Sequence, residues 1–302
     1  MIRFCAPLTD RALLKLEGPD ALTFLHTLTT QDLHQLSVTR PLYSLLLTPE
    51  GRYVADFFIL KIPTGLLLDV SIERIGTIRQ TLQLYCLRQT VTFQDVTDAY
   101  DIVVTLGKHS QGASVANGWT YEDPRLALLG QRWVLPKGST HPKISSASPV
   151  DYKAWRLALG VVETEGLVPH KTLPFDALFH KLNAISMEKG CYLGQELVAR
   201  TLHRGTVRRH FFPLTLEGET IPTAGETVHF AQEATGKVVA VYYNLVLAKL
   251  SVEAAITAWD TQQPLQAGSA QLRPQLWSWM GLKTQQPTPE RPLDDDAFLS
   301  LA

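Results

Sequence analysis

Apolar residues recur along the N-terminal half of the chain with two different periods. Ala12 to Leu16 reads as a short strand, and Gly18-Pro19-Asp20 then breaks the chain with Asp20 placed to cap a helix. The following ALTFLHTLTTQDL sets Leu22, Phe24, Leu25 and Leu28 on one helical face. Tyr43 to Leu47 is an apolar strand, Thr48-Pro49-Glu50-Gly51 has the composition of a turn, and Tyr53 to Leu60 returns as a second strand. That pattern predicts a hairpin. Leu66 to Val70 reads as a strand. Ser71 to Leu87 reads as a helix with Ile75, Ile78, Leu82 and Tyr85 on one side. Val91 to Val96 alternates with period two, and Ile102 to Leu106 reads as a buried strand. The order strand, helix, hairpin, strand, helix, strand is a mixed α+β layout rather than a βαβ series.

The pattern weakens from Gly107 to Val150. This stretch holds Asp123-Pro124-Arg125, which reads as a surface turn and otherwise as the supplier of a carboxylate clamp, a strand from Gln131 to Leu135, and the turn-rich run KGSTHPKISSASP. Tyr152 to Leu159 predicts a helix stopped by Gly160. Beyond Phe211 the texture changes to short strand candidates, Phe211 to Leu216, Thr227 to Phe230, Gly236 to Tyr243 and Leu245 to Leu250. These read as a small β-barrel. From Gln285 onward the chain reads as a polar, Pro-containing tail.

Composition narrows the picture. The 302 residues are enough for about two domains or three small ones. A 45% hydrophobic and 19% charged content builds real cores and excludes a largely disordered chain. The formal net charge of −1 argues against a bulk nucleic-acid binder. Cys5, Cys86 and Cys191 have no CxxC or zinc spacing, so a disulfide framework is not expected and a reducing compartment fits. No apolar run approaches the roughly 18 residues that a membrane span needs. The N-terminal Met runs almost directly into the first domain, and the expected location is the bacterial cytoplasm, or the mitochondrial matrix had a leader been removed. There is no P-loop, no GxGxxG after a strand and no HExxH.

Three places carry candidate chemistry. In Met187 to Glu196 two glycines bracket Cys191, Lys189 stands two residues before the thiol, and a helix is expected to begin near Gln195. A nearby cation and a helix start both favour the thiolate. The residues allow an activated thiol, whether nucleophile, redox group or soft-metal ligand, and equally a structural cysteine in a glycine-rich turn. Arg200, Arg204, Arg208 and Arg209 put four arginines into the eleven residues from Arg200 to His210. That density suits an anion or a solvated turn between domains. Asp56 is an isolated carboxylate in an apolar strand, either inward and able to bind a polar heterocycle or act in proton transfer, or outward at the end of a hairpin. Cys86, on the apolar side of its helix, reads as core packing.

The run KGCYLGQE at Lys189 to Glu196, followed by VAR and HRG, closely resembles the signature of the YgfZ family. These are folate-binding proteins related to the glycine-cleavage T-protein and involved in iron–sulfur cluster maintenance, and mitochondrial iron–sulfur assembly factors belong with them. GPDALTFLHTLTTQDL is similar to the family's first helix, LLLTPEGRYVADFFIL to its central hairpin and WRLALGVVE to an Arg-containing helix. The resemblance covers about residues 8–250, and the octapeptide is its specific part. It implies an α+β, T-protein-like fold around a central hole. Residues 1–205 would form two α+β folate-binding subdomains, residues 206–284 a C-terminal β-barrel, and residues 285–302 a tail.

The resemblance also implies a function. The leading expectation is a folate-dependent accessory protein for iron–sulfur cluster assembly or repair. Cys191 would carry the chemistry, as a redox-active thiol or as a ligand to a cluster shared transiently with an iron–sulfur carrier protein, with Lys189 supporting the thiolate. Tetrahydrofolate would be contacted by Asp56, Tyr192, Gln195, Glu196, Arg200 and Arg204, with Asp56 on the pterin and Arg200 and Arg204 on the carboxylate tail. The first alternative is a tetrahydrofolate-dependent aminomethyltransferase. The T-protein branch carries paired acids where this hairpin has Ala55 and Asp56, and it lacks the Cys-containing octapeptide, so both departures count against that activity. The second alternative is a tRNA-modification accessory protein, suggested by the basic stretch.

Overall fold

The computed structural model describes residues 2–107, 118–139 and 147–290. They form two compact units. The first gathers Met1–Pro149, Val168–Leu173 and Leu182–Arg200, and the second Val150–Leu167, Pro174–Lys181 and Thr201–Ala302. Where the sequence suggested one boundary near residue 205, the chain passes between the units several times.

The first unit holds β1 (Ile2–Pro7), β2 (Arg11–Glu17), α1 (Ala21–Leu28), β3 (Leu42–Leu47), β4 (Tyr53–Ile62), β5 (Gly65–Ser71), α2 (Ile75–Tyr85), β6 (Thr92–Asp95), β7 (Tyr100–Gly107), β8 (Trp119–Glu122) and β9 (Gln131–Pro136). One antiparallel sheet has the order β3-β4-β5-β2-β6 and the other β1-β7-β9-β8. Period-two alternation gives the five-stranded sheet two distinct faces. Alternate residues of β2, β4 and β5, among them Leu14, Phe57 and Leu68, pack with Phe24, Leu25 and Leu28 of α1 and with Ile78 and Leu82 of α2. The other face is buried too, which explains why β3, β4 and β5 read as nearly unbroken apolar runs.

That second face carries buried charge. Asp69 of β5 accepts from Arg11 Nε at 2.7 Å and from an Arg132 guanidinium nitrogen at 2.6 Å, joining β5 to β2 and to β9 of the second sheet. Asp123 takes a bidentate pair from Arg125 at 3.0 and 2.8 Å. The guanidinium carbons of Arg11, Arg125 and Arg132 lie 5.6, 4.8 and 4.2 Å from the centroid of the Phe58 ring. Asp123-Pro124-Arg125 is therefore not the expected surface turn. Asp123 and Arg125 are fully buried, because each neutralises the other inside the unit. Asp20 stands at the helix start, but its carboxylate accepts from the Thr90 N–H at 2.7 Å instead of capping α1. Cys86 ends α2 half-buried at the edge of the core.

The second unit holds α3 (Pro149–Ala158), the end of α4 (Gln195–Arg204), and β10 (Arg209–Glu217), β11 (Thr227–Phe230), β12 (Glu233–Tyr242), β13 (Leu245–Ser251), α5 (Val252–Thr261), β14 (Leu265–Ala267) and β15 (Ala270–Pro274). Strands β10-β13-β12-β11-β14-β15 form a closed barrel, which leaves no strand edge open. Ala255 and Ala258 of α5 pack on the barrel core with Phe212, Leu214 and Leu250. The sequence reading missed α5, β14 and β15. The helix lacks a strong apolar stripe, and the two strands are only three and five residues long. Helix α3 ends as expected before Gly160, whose φ of +77° is left-handed. Buried Arg156 of α3 donates to the Val161 carbonyl at 2.5 Å and to Glu165.

The first residues of the expected tail are attached to this unit. The N–H groups of Gln285 and Gln286 both donate to Asp260 Oδ1 at 2.9 Å. Residues 291–302 lie outside the described residues, as does part of the turn-rich run before α3.

Candidate functional site

The KGCYLGQE segment is attached to the first unit by backbone groups distant in sequence. The Thr30 hydroxyl donates to the Ala184 carbonyl at 2.6 Å, the Ser186 N–H to the Thr30 carbonyl at 3.0 Å, and the Leu193 N–H to the Thr27 carbonyl at 3.2 Å. The segment thus lies against the connection that leaves α1. Lys189 completes the attachment. Its ammonium donates to the carbonyls of His26, Thr29 and Gln31 at 2.5, 2.7 and 3.0 Å and lies 5.2 Å from the centroid of the Tyr192 ring. An ammonium has three donors, and here all three are used. The Lys189 side chain is thus an anchor to the α1 connection. Burial lowers its pKa to about 8, with Asp32 opposing the shift.

The second attachment needs two glycines. Gly51, at the tip of the β3–β4 hairpin, has φ +73°, and Gly194 has φ +83°. A Cβ on Gly194 would stand 2.4 Å from the Thr48 carbonyl oxygen and 3.1 Å from Gly51 Cα. A Cβ on Gly51 would stand 2.8 Å from the Gly194 carbonyl oxygen. The hairpin tip and the motif therefore meet backbone to backbone, at a distance only glycine permits. Gln195 then reaches back, its Oε1 accepting from the Tyr192 N–H at 3.1 Å as α4 begins.

Cys191 is exposed on this attached loop, four residues before the first residue of α4. It lines a surface cavity of about 530 Å³ with Leu28 of α1, Pro49 of the hairpin tip, Tyr85 at the end of α2, and Tyr192 and Glu196 of the motif. Burial pushes the Tyr192 phenol up to about 12. Cys191, Tyr192, Gln195 and Glu196 thus come together at one place. Arg200 is exposed further along α4. The side chain of Arg204 lies outside the described residues.

Asp56 is inward and belongs to a different place. It is 5% exposed, and its two carboxylate oxygens accept from the hydroxyls of Tyr43 at 2.8 Å and Tyr53 at 2.6 Å. Burial, with Asp56 as acceptor, raises the Tyr53 phenol well above its ordinary value. The expected direct contact of Asp56 with a heterocycle meets two tyrosines first. Tyr43 in turn lines a second cavity of about 550 Å³, with Gln31, Arg40, Tyr121, Asn183 and Glu188 also in its wall. The tyrosines went unnoticed in the sequence because a bulge decides where Tyr53 points. Leu46 pairs with Ala55 and Leu47 with Tyr53, so Val54 is the extra residue. Without it Tyr53 and Asp56, three apart, would face opposite sides.

Comparison with known proteins finds similarity at three levels. The family model described as "CAF17, C-terminal beta-barrel domain" matches residues 208–282. The solved structure of glycine cleavage system aminomethyltransferase T from Bartonella henselae superposes with a TM-score of 0.70, covering 89% of this chain and 83% of that one. Its sequence is 14% identical, so it shows the fold: α+β and T-protein-like, with a C-terminal barrel. The mouse protein named "Iron-sulfur cluster assembly factor IBA57, mitochondrial" is 29% identical over 263 residues, 77% of this chain and 73% of that protein. The human protein of the same name is 30% identical over 248 residues, 74% of this chain and 69% of that protein. With that identity over that share of the human protein, and a barrel of the kind the family model describes, this chain belongs to the IBA57 family of iron–sulfur cluster assembly factors.

Proposed function

We propose that this chain is an accessory factor in iron–sulfur cluster assembly that presents Cys191 to a cluster held by a carrier protein. The observation that carries the reading is an exposed thiol on a loop fixed at two points, by Lys189 on one side and by the Gly51–Gly194 contact on the other. Thiolate sulfur is the natural ligand of iron in such clusters. One cysteine does not enclose a cluster, so the remaining ligands come from the partner. In the exchange the thiol releases its proton to solvent, its sulfur bonds to one iron, and the carrier thiolate displaced from that iron takes up a proton from solvent. No electrons move. Exposed apolar side chains suit a protein partner: Leu84 and Leu87, 72% and 84% exposed, are close in sequence to the cavity residue Tyr85. The proposed compartment is a reducing one where clusters are built, bacterial cytoplasm or mitochondrial matrix. No helix among the described residues is long and apolar enough to cross a membrane.

The test is complementation of a strain lacking the family member, read by the activity of a four-iron-cluster enzyme. Wild type is expected to restore it, and Cys191→Ala to fall short by about tenfold or more while remaining folded. Equal rescue by both would make Cys191 structural and remove the reading.

Folate dependence belongs to the same proposal but to the cavity beside Tyr43. Its volume lies in the range of small-ligand sites. Tyr43 and Tyr121 offer ring surface, Gln31 and Asn183 offer amides for a pterin, and Arg40 offers a cation for the carboxylate tail. Asp56 would act through Tyr43, by holding its hydroxyl. Tetrahydrofolate binding, followed by fluorescence quenching, is expected to weaken roughly tenfold in Arg40→Ala, as for loss of a charged hydrogen bond. Wild type showing no saturable binding would end the folate half of the proposal and leave the thiol half standing.

A further inference from the structure

Three side chains of metal-ligating type, two imidazoles and a carboxylate, gather on the connection that leaves α1, and the reading above does not use them. His26 stands in the last turn of α1. Asp32 caps the short 3-10 turn Leu33–Gln35, its Oδ1 accepting from the His34 N–H at 3.0 Å. One ligand atom from each of His26, Asp32 and His34 falls within 4.8 Å of the others. We propose that these three residues bind one divalent first-row transition-metal ion.

The geometry argues for it in three ways. First, the donors are already gathered. His26 Nδ1 and Asp32 Oδ1 are 3.8 Å apart, and the two imidazole rings have centroids 4.5 Å apart. Ligands about 2.1 Å from one ion stand roughly 3–3.5 Å from each other, so a small contraction closes the set. Exposed His34 supplies that movement, since its ring is the least confined of the three. Second, two ligands are held in place. The Leu33 N–H donates to His26 Nδ1 at 3.2 Å, which fixes the orientation of the ring. Asp32 is oriented by the N–H of His34 and by Gln35 at 3.5 Å. Third, the donor set selects the ion. Two imidazoles and one carboxylate favour iron(II), cobalt(II) or zinc(II) over magnesium or calcium, and leave coordination positions open to water or an incoming ligand. The Lys189 ammonium is bonded to carbonyls of this same connection, and Asp32 supplies the opposing charge.

The experiment uses the tag-free full chain after treatment with a chelator. Cobalt(II) is titrated in and followed by its visible absorption, with circular dichroism as the check on folding. Wild type is expected to take up one cobalt per chain. His34→Ala and Asp32→Asn are each expected to weaken binding about tenfold or more. Asn at position 32 keeps an oxygen for the His34 N–H, so loss of the charge is read without loss of the cap. Cys191→Ala is expected to bind cobalt as wild type does, which separates this site from the thiol. The proposal is overturned if wild type shows no stoichiometric uptake, if His34→Ala binds as tightly as wild type, or if Cys191→Ala abolishes the signal.

Discussion

Asp69→Ala is expected to lower the unfolding free energy by about 3–5 kcal/mol, the cost of removing one partner from a buried ion pair. The carboxylate is fully buried and holds two arginines, Arg11 and Arg132, which are themselves almost fully buried. Without it, Arg11 loses the carboxylate at its Nε and Arg132 is left with the more distant Asp123 carboxylate at 4.0 Å, while both guanidinium groups stay desolvated over the Phe58 ring. The same group gives a pH dependence. Burial by itself would raise the Asp69 pKa, but the charges and hydrogen bonds of Arg11 and Arg132 outweigh it and the net shift is downward. A carboxylate with a lowered folded pKa contributes stability above its unfolded value, near 3.8, and loses it as pH falls through the folded one. Urea unfolding of wild type and Asp69→Ala at several pH values checks both points. A midpoint difference equivalent to less than about 1 kcal/mol would mean that water or neighbouring groups compensate the arginines, contrary to the burial.

Gly194→Ala is expected to disable the thiol loop without touching the thiol. A β-carbon there would lie 2.4 Å from the Thr48 carbonyl oxygen, a backbone atom that yields only if the hairpin tip shifts. The φ of +83° adds strain for any residue with a Cβ, of order 1–3 kcal/mol. The loop is therefore expected to detach from the hairpin while Lys189 still holds the other side. In complementation the variant should behave like Cys191→Ala. Its Cys191 amide should exchange with deuterium faster than in wild type, with exchange in β4 and β5 unchanged. Full rescue, or unchanged exchange, would show that the contact with Gly51 does not position the thiol.

Much of this was legible in the chain itself. The alternating runs around Leu14, Phe57 and Leu68, and the stripes of Phe24, Leu25 and Leu28 and of Ile78 and Leu82, are local patterns set by strand and helix period. So were the barrel texture after Phe211 and the singular glycine-bracketed cysteine. What partners a side chain finds depends on chain segments far away in sequence. Lys189 is two residues from Cys191 in sequence, but the carbonyls that take its charge belong to residues 26, 29 and 31. Asp123 and Arg125 have the composition of a surface turn and become a core pair only because Phe58 and Tyr43 supply ring faces for the guanidinium. Tyr53 reaches Asp56 only because one bulged residue reverses its direction. Local periodicity is a property of neighbouring residues and is written in the chain. Charge partners, backbone contacts and register faults arise only when separate segments of the chain are brought together, and the tertiary structure decides them.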